Sequence, residues 1–96
     1  MIGYSIMKYQ VNLFSKSYCT YCKKAIKILK QYDNVQLTVI QLDTLIDGEE
    51  IHNQIKKQTR HYTVPAIFIA DTFIGGYDIL LYLHNRQELL SILNQK

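Results

Sequence analysis

Tryptophan is absent from this 96-residue chain, proline occurs once, cysteine twice, and neither sign of charge dominates. Each shortage excludes something. Two cysteines cannot build the disulfide framework of a small secreted scaffold. A net charge of +3, eleven basic residues against eight acidic, is too mild to argue for nucleic acid or an anionic membrane surface as partner. No apolar run approaches the roughly 20 residues that span a bilayer. The opening M-I-G-Y-S-I-M-K has no basic stretch before its short apolar patch and no arginine, which argues against a signal or transit peptide. The expectation is a cytoplasmic protein, in a compartment where thiols stay reduced unless they are catalytic. With no repeat, linker or low-complexity segment, residues 1–96 read as a single domain, residues 1–7 being an N-terminal extension.

What is present is organised by period. Tyr9, Val11 and Leu13 alternate with Lys8, Gln10 and Asn12, which predicts a strand over Lys8–Phe14. Cys22, Ala25, Ile26 and Leu29 fall three and four apart. This predicts a helix over Cys19–Tyr32 with Lys23, Lys27 and Lys30 on its solvated side. Asp33-Asn34 breaks the helix, and the β-branched stretch Val35–Gln41 predicts a second strand. Asp47, with Glu50 three residues on, predicts a capping box opening a helix that runs to Thr59 and buries Ile51 and Ile55. Ala66–Ala70 is short and apolar, as a central strand should be. Asp71-Thr72 turns the chain, Phe73-Ile74 returns it and Gly75-Gly76 ends the return. A last helix over Asp78–Asn94, with Asp78 as its cap, presents Ile79, Leu80, Leu83, Leu90 and Leu93. The order βαβαββα is α/β, a four-stranded mixed sheet with helices on both faces, in which the strand–helix–strand opening demands a parallel pair.

Both cysteines stand in K-S-Y-C-T-Y-C-K, residues 16–23, with Lys16, Lys23, Lys24, Lys27 and Lys30 nearby. A C-x-x-C pair can be a redox dithiol, half of a metal site, or two small core residues. A structural zinc needs four ligands. His52, His61 and His84 stand at no ligand spacing and read as surface or helix-face residues, so no metal is assigned. As a dithiol, Cys19 lies at a helix N-terminus, where free N–H groups and the helix dipole favour thiolate, with a pKa of about 3.5–7.5. Cys19 is the expected nucleophile. Cys22, one turn on, faces the core, protonated until it attacks. Positions i and i+3 hold Cβ atoms about 5–6 Å apart, and a disulfide wants about 3.5–4.5 Å, so a slight tightening of the first turn closes the pair.

The single proline, Pro65, opens the apolar strand in T-V-P-A-I-F-I. Proline lacks the N–H a central ladder requires. Two readings follow: a cis Val64–Pro65 bond, or a trans proline that merely starts a strand. The cis form would leave the Val64 backbone facing outward beside Cys19, free to pair with an extended peptide.

Together, S-K-S-Y-C-T-Y-C, T-V-P-A-I-F-I and F-I-G-G-Y-D, in this order over Lys8 to about Leu93, resemble glutaredoxin, of the thioredoxin fold. Thioredoxins themselves carry W-C-G-P-C, and this chain has no tryptophan. The resemblance implies a glutathione-dependent thiol–disulfide oxidoreductase that reduces protein disulfides and glutathionylated thiols, with glutathione as co-substrate and a potential of about −200 to −230 mV. It implies that Lys16 neutralises the glycyl carboxylate of glutathione and that Tyr21 flanks it. Thr63, Val64 and Pro65 would present the Val64 backbone to the cysteinyl unit. Gly76, Tyr77 and Asp78 would hold the γ-glutamyl end at a helix N-terminus, where carboxylates bind. Lys56, Lys57 and Arg60 could assist the carboxylate, although a solvated helix face is the expectation for all three. The remaining tyrosines and Phe68 are expected in the core. Three positions depart from the family pattern. Thr20 stands where dithiol members most often carry proline, and Tyr62 where a basic or polar residue is usual. Ile79 occupies a common aspartate position, which leaves amine recognition to Asp78. The implied partners are glutathione and disulfide or glutathionylated proteins, ribonucleotide reductase among the candidates, with the chain itself a monomer. The rival reading is a dimeric carrier holding an iron–sulfur cluster through Cys19 and glutathione, a role found in members that lack proline after the first cysteine.

Overall fold

Alternation along β1 (Tyr9–Ser15) sends Val11 and Leu13 to one side of a sheet and Asn12 and Phe14 to the other. The computed structural model that shows this describes residues 9–93, apart from the side chains of Leu90 and Leu93. Lys8 and the proposed extension 1–7 lie outside the described residues, as does the end of the final helix. β1 pairs in parallel with β2 (Val35–Gln41) along its whole length, from Tyr9↔Val35 to Ser15↔Gln41, and antiparallel with β3 (Ala66–Ile69). β4 (Thr72–Gly75) completes the order β2-β1-β3-β4. The expected four-stranded mixed sheet is the one observed.

Helix α1 (Thr20–Leu29) makes the crossover between the parallel strands. It buries Cys22, Ala25, Ile28 and Leu29 against Val11, Leu13 and Ile67. Helix α3 (Tyr77–Asn85) joins that layer through Leu80. On the opposite face, α2 (Gly48–Thr59) places Ile51 and Ile55 across a cavity from Phe14 and Phe68. The Phe14, Phe68 and Phe73 rings make edge and tilted contacts there. Among the described residues, no helix is long and apolar enough to cross a membrane.

Four expectations need correction. The last helix is two, α3 and α4 (Leu89–Leu93), with Gln87 at φ 59° between them and Glu88 N–H donating to Leu83 O at 2.9 Å. The reason is geometric. Leu80 and Leu89 are nine residues apart, on opposite sides of a straight helix at about 100° per residue, yet both are fully buried. Only a break lets both enter the core. Second, neither Asp47 nor Asp78 makes a side-chain cap. Asp47 precedes α2, but the chain there is wound by backbone bonds, Leu45 N–H to Leu42 O and Gly48 N–H to Leu45 O, after a 3₁₀ turn at Leu42–Thr44 that the sequence reading lacks. Gly76, not Asp78, is the N-cap of α3. Third, the β3–β4 turn falls one residue early, at Ala70-Asp71, with Ala70 at φ 53°. Fourth, the tyrosines are not mostly core, because Tyr18, Tyr62 and Tyr82 are more than half exposed.

Candidate functional site

The segment Lys16–Tyr18 carries the chain from β1 to α1 and is held at both ends. Cys19 N–H donates to Lys16 O at 3.1 Å, closing the turn. Ser17 donates its backbone N–H to Asp43 Oδ1 at 3.0 Å and its hydroxyl to Asp43 Oδ2, tying the turn to the 3₁₀ segment after β2. The Ser17 hydroxyl, then the Ser17 N–H, hold the Asp43 carboxyl below the usual carboxylate range, and Lys16 adds to this. Asp43 is a positioning residue the sequence reading missed. A bond between residues 26 apart leaves no periodic signal.

Cys19 is the N-cap of α1 in extended conformation, φ −91° and ψ 110°, and its sulfur accepts the Cys22 N–H at 3.1 Å. A cap acceptor at this position meets the unpaired N–H groups of the first turn and the positive end of the dipole. No acidic residue stands in that turn to oppose a thiolate. Cys22 is 1% exposed, and its sulfur is bonded to that of Cys19 across a Cα–Cα distance of 5.2 Å. The inner cysteine is thus buried, as the sequence predicts, and Cys19 is the half-buried one of the pair.

The Val64–Pro65 bond is cis. Val64 O lies 3.7 Å from Cys19 Sγ, on one wall of a groove of about 460 Å³. Thr63, Val64 and Pro65 form that wall, and Gly76, Tyr77 and Asp78 form the facing one. Tyr21 lies against Tyr77, ring centroids 5.4 Å apart, with Lys24 Nζ 5.4 Å from the Tyr21 ring centre. The volume is in the range of small-ligand sites. Gly75, at φ 130°, turns β4 towards α3, whose N-terminal residues Gly76, Tyr77 and Asp78 line the groove.

Lys16 lies elsewhere. It lines a second cleft, of about 330 Å³, with Tyr18, His52 and Lys56. The structure therefore gathers seven of the eight predicted binding residues in one groove and separates Lys16. His52 is a helix-face residue, as read, but a buried one. It is 7% exposed, and its Nε2 meets no partner. Burial, then Lys56 and Lys16, push its pKa below the ordinary histidine value. The folded chain therefore resists protonating His52, whereas the unfolded chain takes the proton as pH falls past about 6.5. Stability conferred by neutral His52 is present above that pH and is lost as pH drops towards the folded value. Urea midpoints at pH 7.5 and 5.5 check this: wild type should lose more stability than His52→Gln over the interval. Equal losses would show that His52 does not carry the effect.

The glutaredoxin family model matches residues 11–74, two-thirds of the chain, from within β1 into β4. The chain belongs to the glutaredoxin family. A glutaredoxin from Ricinus communis is 38% identical over 85 residues, which span 88% of this chain and 82% of that protein. Glutaredoxin-1 of Rhizophagus irregularis is 45% identical over 71 residues, 74% of this chain and 69% of that one. The crystal structure of a buckwheat glutaredoxin–glutathione complex superposes with a TM-score of 0.82 at 32% identity, covering 92% of this chain and 79% of the other. The thioredoxin fold and the dithiol C-T-Y-C site of a glutaredoxin are those described above, and the chain is a glutaredoxin-type thiol–disulfide oxidoreductase.

Proposed function

We propose that this glutaredoxin draws its electrons from glutathione and uses them to reduce protein disulfides and glutathionylated protein thiols. The observation that carries the reading is the position of Cys19 Sγ, capped by the Cys22 N–H and 3.7 Å from Val64 O at the edge of the groove. A glutathionyl group disulfide-bonded to Cys19 would find extended backbone at Val64 to pair with and the α3 N-terminus for its γ-glutamyl carboxylate. Lys16, which lines the second cleft with Lys56, would have to reach the glycyl carboxylate from there.

In the monothiol route the Cys19 thiolate attacks the glutathione sulfur of a mixed disulfide. The protein thiolate leaves, and a second glutathione thiolate attacks the Cys19 adduct, releasing oxidised glutathione and the Cys19 thiolate. In the dithiol route Cys19 attacks a protein disulfide, and Cys22, losing its proton, displaces the substrate thiolate to form the Cys19–Cys22 disulfide. Two glutathiones then return the pair to thiols. The test is turnover of a glutathionylated peptide with glutathione as sole reductant. Stoichiometric oxidised glutathione is expected; turnover with small dithiols but none with glutathione would end the proposal.

Asp78 separates groove binding from helix capping. It makes no cap bond, so Asp78→Ala should leave the melting temperature nearly unchanged. Loss of a charge-assisted bond to the γ-glutamyl amine, about 1.5–3 kcal/mol, should raise the KM for glutathione roughly tenfold or more. An unchanged KM would remove Asp78 from the site. Lys16→Ala should also weaken glutathione, by an amount that shrinks with added salt.

Thr20, exposed where a proline is usual, keeps the cluster-carrier reading open. Among the described residues no group of three or more histidine, cysteine or acidic side chains is placed to hold a metal. A cluster would therefore draw its ligands from Cys19, glutathione and a second copy. Brown absorbance with dimeric elution supports that reading, and a colourless monomer counts against it.

A further inference from the structure

His61 is half-buried and belongs to none of the motifs that mark the family, yet it touches both walls of the site. Its backbone N–H donates to Thr59 Oγ1 at 3.1 Å, and the Thr59 hydroxyl donates to Ile55 O at 2.7 Å, so the residue is anchored to the end of α2. Its ring Nε2 lies 3.0 Å from Pro65 O. A carbonyl only accepts, so Nε2 carries the proton and donates. The same ring lies 5.3 Å from the Phe73 ring of β4, and it lies so close over Gly76 that a Cβ there would meet His61 Cε1 at 2.9 Å. Pro65 belongs to one wall of the groove and Gly76 to the other. The imidazole itself lines the groove between them.

We propose that His61 is a positioning residue that sets the separation of the two groove walls, and through it the affinity for the glutathionyl group. This rests on the reading of the groove as a glutathione site. The ring holds the Thr63–Val64–Pro65 wall by one hydrogen bond and fixes the Gly76 wall by contact, and it takes no part in activating Cys19. Without it, Pro65 O loses its donor and Gly76 keeps only Pro65 O as a close neighbour, so the two walls, still joined by the sheet at Ile67↔Gly75, can adjust locally at their outer ends. The loss should appear in KM, because these walls hold the glutathionyl group whereas Cys19 Sγ is fixed separately by the Cys22 N–H.

The experiment compares His61→Ala, His61→Gln and wild type by KM for a glutathionylated peptide, kcat, and the rate of Cys19 alkylation against pH. For His61→Ala the KM should rise about tenfold while kcat and the alkylation profile stay within about twofold. His61→Gln, whose amide can reach Pro65 O, should recover most of the loss. Gly76→Ala should also raise KM in the wild-type background, and by less when His61 is already alanine, because the two act through one contact. A lower melting temperature with unchanged KM would overturn the proposal by making His61 merely structural. A parallel fall in Cys19 alkylation would overturn it by placing the effect at the sulfur. Wild-type protein with no saturable dependence on a glutathionyl group would instead refute the glutathione reading.

Discussion

Cys19→Ser is expected to abolish turnover, whereas Cys22→Ser is expected to keep the reduction of glutathionylated peptides and lose the reduction of protein disulfides. The asymmetry follows from position. Cys19 sits where a sulfur anion receives the Cys22 N–H and the field of α1, and it is the accessible one of the pair. A serine hydroxyl there accepts the same cap bond but remains protonated at neutral pH, and alkoxide is no substitute for thiolate. Cys22 makes no comparable contact through its own sulfur apart from that with Cys19, and it is sealed in the core. Its chemical task is resolution of an adduct already formed. Serine in its place leaves the first displacement intact, and a second glutathione can complete the cycle. A protein disulfide leaves its partner covalently attached to Cys19, and that adduct should accumulate. Rates for both variants on both substrate types decide the matter. Retained turnover by Cys19→Ser would overturn the mechanism, as would equal loss of both activities in Cys22→Ser.

The second large effect is expected far from the sulfurs, at Gly48→Ala. A Cβ on Gly48 would lie 1.7 Å from Leu42 O. Two features make this worse than ordinary crowding. The obstacle is backbone, so no side chain can swing aside. That backbone is also the 3₁₀ turn carrying Asp43, whose carboxylate holds Ser17 and the turn before Cys19. Overpacking a well-filled site costs about 1–3 kcal/mol and occasionally more, and the upper end is expected here. For a domain of this size that lowers the melting temperature by roughly 10–20 °C. The surviving folded fraction should also turn over more slowly, because relief of the clash moves Asp43. A melting temperature within about 2 °C of wild type would show that the segment yields easily. Normal turnover in a destabilised variant would show that the tie from Asp43 to Ser17 does not govern the Cys19 loop.

What was legible in the sequence was whatever repeats along the chain or advertises itself by residue type. β2 reads correctly to the residue because seven residues of β-prone character end at turn formers on one side and at Leu42, which the next segment buries, on the other. The helix after Cys19 reads correctly because three- and four-residue spacing marks its buried face, although its last turn loosens after Leu29, where Gln31 and Tyr32 bond back by only three residues. The groove residues were legible through the motifs T-V-P and G-G-Y-D. The rest depended on partners distant in sequence. Asp43 matters because Ser17 happens to face it, His52 is buried because α2 lies beside Lys16 and Leu42, and His61 acts through Pro65 and Gly76. Local rules also predicted two side-chain caps where the backbone supplies its own bonds. The break at Gln87 uses no glycine, so no breaker residue announced it, although the nine-residue interval between two core leucines did contain the information.

The unequal exposure of the two sulfurs has a consequence for how the centre can be wired. With Cys22 closed to solvent and Cys19 open to it, no outside molecule reaches the inner sulfur while the helix stays folded. Both reduction of the disulfide and delivery of its electrons must therefore pass through a single terminal, and they must take turns at it. Substrate meets that atom as a thiolate and reductant meets it as a disulfide, so the two half-reactions alternate and the slower one sets the rate of the cycle. The fold makes the protein a one-port device whose output is throttled by whichever partner occupies the port longest.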